Sequence, residues 1–177
     1  MKRTMLIVVL SLLFTSVGYA QSNVGFKAAA TDSTNVSVFG GGRIGDPVPG
    51  KTIPSASDFG FAVDIDGGPF VCSTAGPETG GFAGFRVMTV EGVVAPGSLQ
   101  VHGRDITFSG KVTVVLIPGL GGAPYSVLDN LDFTVTSRAG GEGQGQIILH
   151  IPAFTGPLGG DTGGTLAKGK IKIRNPE

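Results

Sequence analysis

Two stretches gather carboxylates closely enough to hold a hard cation: Asp64-Ile65-Asp66-Gly67-Gly68 and Asp129-Asn130-Leu131-Asp132. Calcium takes roughly six to eight oxygen ligands, so one loop must offer more than a pair of carboxylates. After the first stretch, Pro69 and Phe70 stand where the further oxygens would fall. Asp64, Asp66, Asp129 and Asp132 are therefore calcium candidates only as bridges between loops; otherwise they are solvated turn carboxylates. Nucleophilic catalysis asks for a base beside an activated Ser, Thr or Cys. The sequence has two histidines, His102 in a short connector beside Asp105 and His150 on the expected outer face of a strand. No Gly-x-Ser-x-Gly elbow occurs. A hydrolase would have to assemble His102 or His150 with a carboxylate such as Asp105 and a distant serine, and no catalytic residue is assigned. With two histidines and one cysteine, a zinc site would need carboxylates borrowed from separate strands. No cofactor is implied.

Lys168, Lys170, Lys172 and Arg174 form the most pronounced charge feature, four cations at alternate positions. Such a row can contact a polyanion, either a cell-surface polysaccharide or nucleic acid, or it can keep a terminal strand from pairing edge to edge with another chain. Two glycine patterns suggest nucleotides and fail on context. Gly40-Gly41-Gly42-Arg43-Ile44-Gly45 fits the dinucleotide spacing, and Gly45 to Thr52 fits the phosphate loop letter for letter. Both sites hold phosphate at the start of a helix. Here Pro47, Pro49 and Pro54 interrupt the stretch and the next element alternates as a strand, so an ordinary Gly/Pro loop and no nucleotide is expected. Sugar binding by ring stacking is not expected either, because Trp is absent and Tyr125 is the one tyrosine beyond residue 20.

The elements that must position these residues are strands. From Ile106 to Leu116, even positions are apolar or glycine, while Thr107, Ser109, Lys111 and Thr113 occupy odd ones. Period two means one buried and one wet face. Leu99-Gln-Val101 precedes it, joined by His102-Gly103-Arg104-Asp105, a connector of hairpin length. Asn35 to Phe39 reads as a strand, and Phe59 to Asp66 as another with Phe59, Phe61, Val63 and Ile65 inward. Asp66-Gly67 then signals a hairpin into Phe70-Val71-Cys72. Phe85 to Val94 is apolar without clean parity, as a strand buried on both sides or a bulged one would be. Leu131, Phe133 and Val135 face inward in the next strand, Ile147, Leu149 and Ile151 in another, and Ala167, Gly169, Ile171 and Ile173 in the last. Asp46 to Ser57, Pro118 to Pro124, Arg138 to Gly145 and Pro152 to Gly164 read as loops. About nine or ten short strands without a helical period predict an all-β fold, an antiparallel sandwich or a small curled barrel.

Lys2 and Arg3, an apolar run from Met5 to Phe14, and Gly18-Tyr19-Ala20 make residues 1–20 an expected secretory signal peptide, cleaved after Ala20. The run is too short for a stable bilayer span, so a secreted or periplasmic location with no membrane span is expected. No cysteine follows the cleavage point, which argues against a lipoprotein anchor. Residues 21–34 read as a lead-in or edge strand, and 35–174 as one all-β domain. Loss of the leader leaves 11 basic and 13 acidic residues, a near-neutral balance with no general pull toward polyanions. Cys72 is alone and can form no intrachain disulfide; a small buried apolar role is expected.

Together Gly40-Gly41-Gly42-Arg43, Phe59-Gly60-Phe61 with its Asp-Gly-Gly turn, Leu99-Gln-Val101-His-Gly103 leading into Ile106-Thr-Phe108-Ser-Gly110, Phe133-Thr-Val135 and Gly164-Thr-Leu166 to Ile173 resemble the post-COAP family of small exported bacterial β domains. The likeness runs from about Val36 to Ile173 and departs from the family pattern at Arg138 to Gly145 and in the Pro-rich Asp46 to Ser57 loop. It implies an exported β architecture and carries over no catalytic residue. The resulting expectation is a secreted, non-enzymatic β module, structural or binding, whose partner is a cell-surface polymer or a protein. Two alternatives stand beside it: a barrel enclosing a small apolar ligand, with Gly110, Ala167 and Gly169 leaving room inside, and a hydrolase using His102 or His150.

Overall fold

The computed structural model describes residues 36–47, 56–75, 85–119, 121, 124–154 and 161–175. The expected leader and lead-in, and the Lys51-Thr52 end of the phosphate-loop pattern, lie outside them. The described residues form nine strands: β1 (Ser37–Pro47), β2 (Ala56–Val63), β3 (Gly68–Ala75), β4 (Phe85–Val94), β5 (Gln100–His102), β6 (Asp105–Pro118), β7 (Ser126–Arg138), β8 (Gln146–His150) and β9 (Asp161–Arg174). All pairings are antiparallel, in the order β4-β3-β2-β1-β9-β8-β7-β6, and β4 pairs again with β6. That last pairing closes eight strands into a barrel. Of the two expected architectures, the barrel is the one formed.

β5 is the ninth strand and takes the same edge of β6 as β4. β4 pairs β6 as far as Val94 and Gly110, and β5 resumes at Gln100 and Thr107. In the break, the Ser109 carbonyl accepts both the Ala95 N–H at 2.8 Å and the Ser98 hydroxyl at 2.9 Å, and the Ser98 oxygen accepts the Ser109 N–H at 3.3 Å. The β5–β6 reversal places Gly103 at φ +63°, a backbone conformation glycine adopts without a Cβ penalty.

The even positions of β6 point inward as expected, with Ile106, Phe108, Val112, Val114 and Leu116 buried. The uneven parity of β4 comes from a bulge between Phe85 and Val87. Several expectations need correction, beginning with β1, which runs on through the glycines to Pro47 where the strand was expected to end at Phe39. The strand at 59–66 begins earlier and stops at Val63, and Ile65 is exposed, because Ile65 and Asp66 form the turn itself. Asp64 accepts the Asp66 N–H at 2.9 Å and fixes that reversal. The stretch from Asp161 to Gly164 belongs to β9 and is not loop. Ala167 faces out: β1 skips from Arg43 opposite Lys168 to Ile44 opposite Leu166, so Ala167 is the extra residue of a bulge. Lys168 keeps the outward face and Leu166 the inward one. Finally β9, although the last strand, is an edge only in part. β1 pairs along it on one side; β8 pairs Asp161 to Thr165 on the other, and the turn from Gly140 to Gly145 bonds to Leu166 and Ile171 below.

Candidate functional site

A barrel offers two places for a site, its interior and its outer wall. The middle of the interior is occupied by phenylalanine rings from opposite walls. Phe61 of β2 lies 5.2 Å from Phe108 of β6, ring centre to ring centre, and Phe70 of β3 lies 5.2 Å from Phe133 of β7. Phe108 also meets Phe70 at 6.1 Å and Phe133 at 6.4 Å, edge to face. The residues expected to leave space do not. A Cβ on Gly110 would lie 2.1 Å from the Val93 carbonyl oxygen, and one on Gly169 would lie 2.1 Å from that of Gly41. Those glycines let neighbouring backbones approach; they border no void. Gly40 does face a ring, and a Cβ there would stand 2.7 Å from Phe61.

Off this aromatic centre the buried side chains include a small polar group. The Ser57 hydroxyl donates to Thr74 Oγ1 at 3.2 Å, and Cys72 Sγ lies 3.8 Å from the same oxygen. Among the described residues no buried side-chain nitrogen or oxygen lacks a partner. Burial pushes the Cys72 thiol up to about 11, against a lowering by its hydrogen bond with Thr74, which disfavours the reactive thiolate at neutral pH.

On the outer wall the structure brings together one pair that the sequence kept apart. His150 on β8 stands opposite Asp161 on β9, and its Nδ1 bonds to an Asp161 carboxylate oxygen. Thr134 of β7 is the cross-strand neighbour of His150 on the other side. This is the order of a nucleophile, base and orienting carboxylate, yet among the described residues no hydroxyl or thiol is hydrogen-bonded to His150. His102 ends β5, exposed, opposite Asp105, whose carboxylate faces Arg138 at 3.4 Å. The hydrolytic combination of His102 with Asp105 is thus not assembled.

The calcium candidates separate into two places. Asp64 and Asp66 sit in the β2–β3 turn. On β7, Asp129 accepts the Thr113 hydroxyl at 2.9 Å, and Asp132 pairs with Lys111 at 2.7 Å. Asp129 and Asn130 form a bulge there, with Asn130 at φ +58°. Among the described residues no three metal-ligating side chains converge. Gly40 to Gly45 lie within β1, so that glycine pattern is strand.

The cationic row is the clearest arrangement on the wall. Lys168, Lys170, Lys172 and Arg174 are all exposed, opposite Arg43, Gly41, Phe39 and Ser37 of β1. Gly41 in turn faces Gly60 of β2, so the wall beside Lys170 is bare backbone. Lys172 Nζ lies 5.7 Å from the centre of the Phe39 ring, which is 40% exposed. Arg43 is engaged by Asp58 through two 2.9 Å hydrogen bonds, and these hold the Asp58 carboxyl below its ordinary range. Among the described residues none of the four cations of the row joins an ion pair. The bulge that turns Ala167 outward and the strand conformation of Gly40 to Gly45 were the features that sequence reading missed. Comparison with known protein families, curated proteins and solved structures finds no match.

Proposed function

We propose that the chain acts outside the cytoplasm as a non-enzymatic β module that meets its partner on its outer wall. The observation that carries this reading is the interior: where a ligand-holding barrel keeps a lumen, Phe61, Phe70, Phe108 and Phe133 touch across the centre. The leader-like start and the resemblance to the post-COAP β domains supply the location. Native mass spectrometry of the protein recovered from the exported fraction tests both parts. The expected result is a chain starting after Ala20 with nothing bound. A stoichiometric apolar compound would move the reading to the ligand barrel.

A hydrolase at His150 is the second reading, favoured by the His150–Asp161 contact alone. Acyl transfer needs a nucleophile on the second ring nitrogen and donors for the developing oxyanion. The row supplies a base and its orienting acid. The native chain should turn over an activated phenyl ester no faster than free imidazole at the same concentration; turnover well above that rate and lost in His150→Ala would establish the enzyme.

A further inference from the structure

We propose that the outer face of β9, with β1 beside it, is a track for a linear acidic polysaccharide, held by charge. The proposal rests on the outer-wall reading above and names the partner. Lysines at alternate positions of a last strand ordinarily have a sufficient explanation, since they block edge-to-edge pairing. That explanation covers only part of the row here, because β1 pairs along one side of it, while on the other β8 stops at Thr165 and the 140–145 turn bonds Leu166 and Ile171 alone.

What remains is a line of four like charges in a chain whose overall charge is near zero. Alternate residues of a strand stand about 6.7 Å apart, so Lys168 to Arg174 spans about 20 Å. Like charges at this spacing repel, and the cost recurs at each step unless an anion lies between them. No carboxylate of the described residues forms an ion pair with any of the four, and Asp58, two strands across from Lys168, is taken by Arg43. The adjoining wall is shaped to let a polymer lie close. Gly41 and Gly60 present no side chain opposite Lys170, while Phe39 holds Lys172 to one side through its ring face. The track therefore has a basic rail, a flat floor and a single aromatic stop.

A charged glycan fits these features better than a nucleic acid does. Duplex DNA is read by a helix or a ribbon that enters its major groove, and a barrel wall offers neither. Single strands bind where successive bases find aromatic platforms, and this face has one ring. An acidic polysaccharide requires anions at intervals along a line, which the rail matches.

The test is binding of the mature chain to polygalacturonate and to dextran sulfate, with neutral dextran and a single-stranded oligonucleotide alongside, at 50 and 200 mM salt. By the counter-ion arithmetic of a single-stranded polyanion, four contacts should cost about 50-fold in affinity across that salt range. Lys168→Gln, Lys170→Gln and Lys172→Gln together should reduce that to about threefold and weaken binding at 50 mM by tenfold or more, with an unchanged melting temperature. Lys111→Gln, a cation elsewhere on the wall and paired with Asp132, should change neither. Three results would overturn the proposal: no binding of either acidic glycan at 50 mM, equal loss in the Lys111 variant, or tighter binding of the oligonucleotide than of polygalacturonate. None of them touches the module reading, which fails separately if a small apolar compound is found in the barrel.

Discussion

Phe108 is the side chain on which the filled interior depends, and removing it measures how filled the interior is. Its ring is fully buried and meets those of Phe61, Phe70 and Phe133, so three other strands close on the one that bears it. Truncating a buried Phe to Ala costs about 3–5 kcal/mol, and aromatic pairs add ~0.5–1.5 kcal/mol each beyond the area they bury. Phe108→Ala should therefore fall at the upper end, about 4–5 kcal/mol. A domain of this kind has about 5–15 kcal/mol in all, so the variant should still fold in the cold while melting roughly 10–20 °C lower. Urea unfolding followed by far-ultraviolet circular dichroism gives the loss, read from the midpoint at constant slope. The void left behind is lined by rings and aliphatic groups and should stay dry, so a benzene-sized molecule should raise the melting temperature of the variant and leave the native protein unmoved. A loss below about 1.5 kcal/mol, or an equal response of the native protein to the apolar probe, would refute the packed lumen.

The Cys72 thiol should resist a disulfide reagent at pH 8 until the chain is unfolded; rapid stoichiometric labelling of the native protein would contradict its burial. Its titration gives a second readout. The thiol ionises near 9.0 when exposed and at about 11 when folded, so stability is full below pH 9 and falls as pH rises toward 11. That fall, on the order of 2–3 kcal/mol, should be absent from Cys72→Ala when the two are compared across the same pH range. Gly169→Ala should destabilise strongly, since φ is +99° and the new Cβ would meet the Gly41 carbonyl at 2.1 Å, whereas Gly141→Ala, with open space around it, should be neutral within about 0.5 kcal/mol. Chelator should leave the melting temperature unchanged, because Asp129 and Asp132 already have Thr113 and Lys111 as partners; a calcium-dependent rise would restore the loop-bridging site.

Strands were legible where one face is apolar and the other polar, because pleating puts alternate residues on opposite sides whatever the topology. β6 and β8 follow that rule along their length, and the outward lysines of β9 follow it from Lys168 on. What alternation does not carry is any residue that breaks the count. Ala167 reads as inward by parity from Ile171 and lies outward because one bulge shifts the register between Arg43 and Ile44. Closure was equally hidden. The β4–β6 pairing joins strands that are not neighbours in the chain, and nothing local in Phe85 to Val94 distinguishes a barrel wall from a sandwich layer. His150 and Asp161 were both visible as titratable residues, but their meeting depends on the β8–β9 register across a loop whose length hid it. The row on β9 was legible as a charge pattern, but how much of the strand is an edge was not, since that is a property of the sheet and not of the strand.

Ser37 stands directly opposite Arg174, so the first and the last of the described strands are stitched to each other. That seam cannot form until β9 has been made, and the entropy of bringing such remote partners together slows the pairing. A circular permutant that ties residue 36 to residue 175 through a short linker and opens at Gly103-Arg104 would turn the seam into a hairpin. It should reach the same barrel by a faster route.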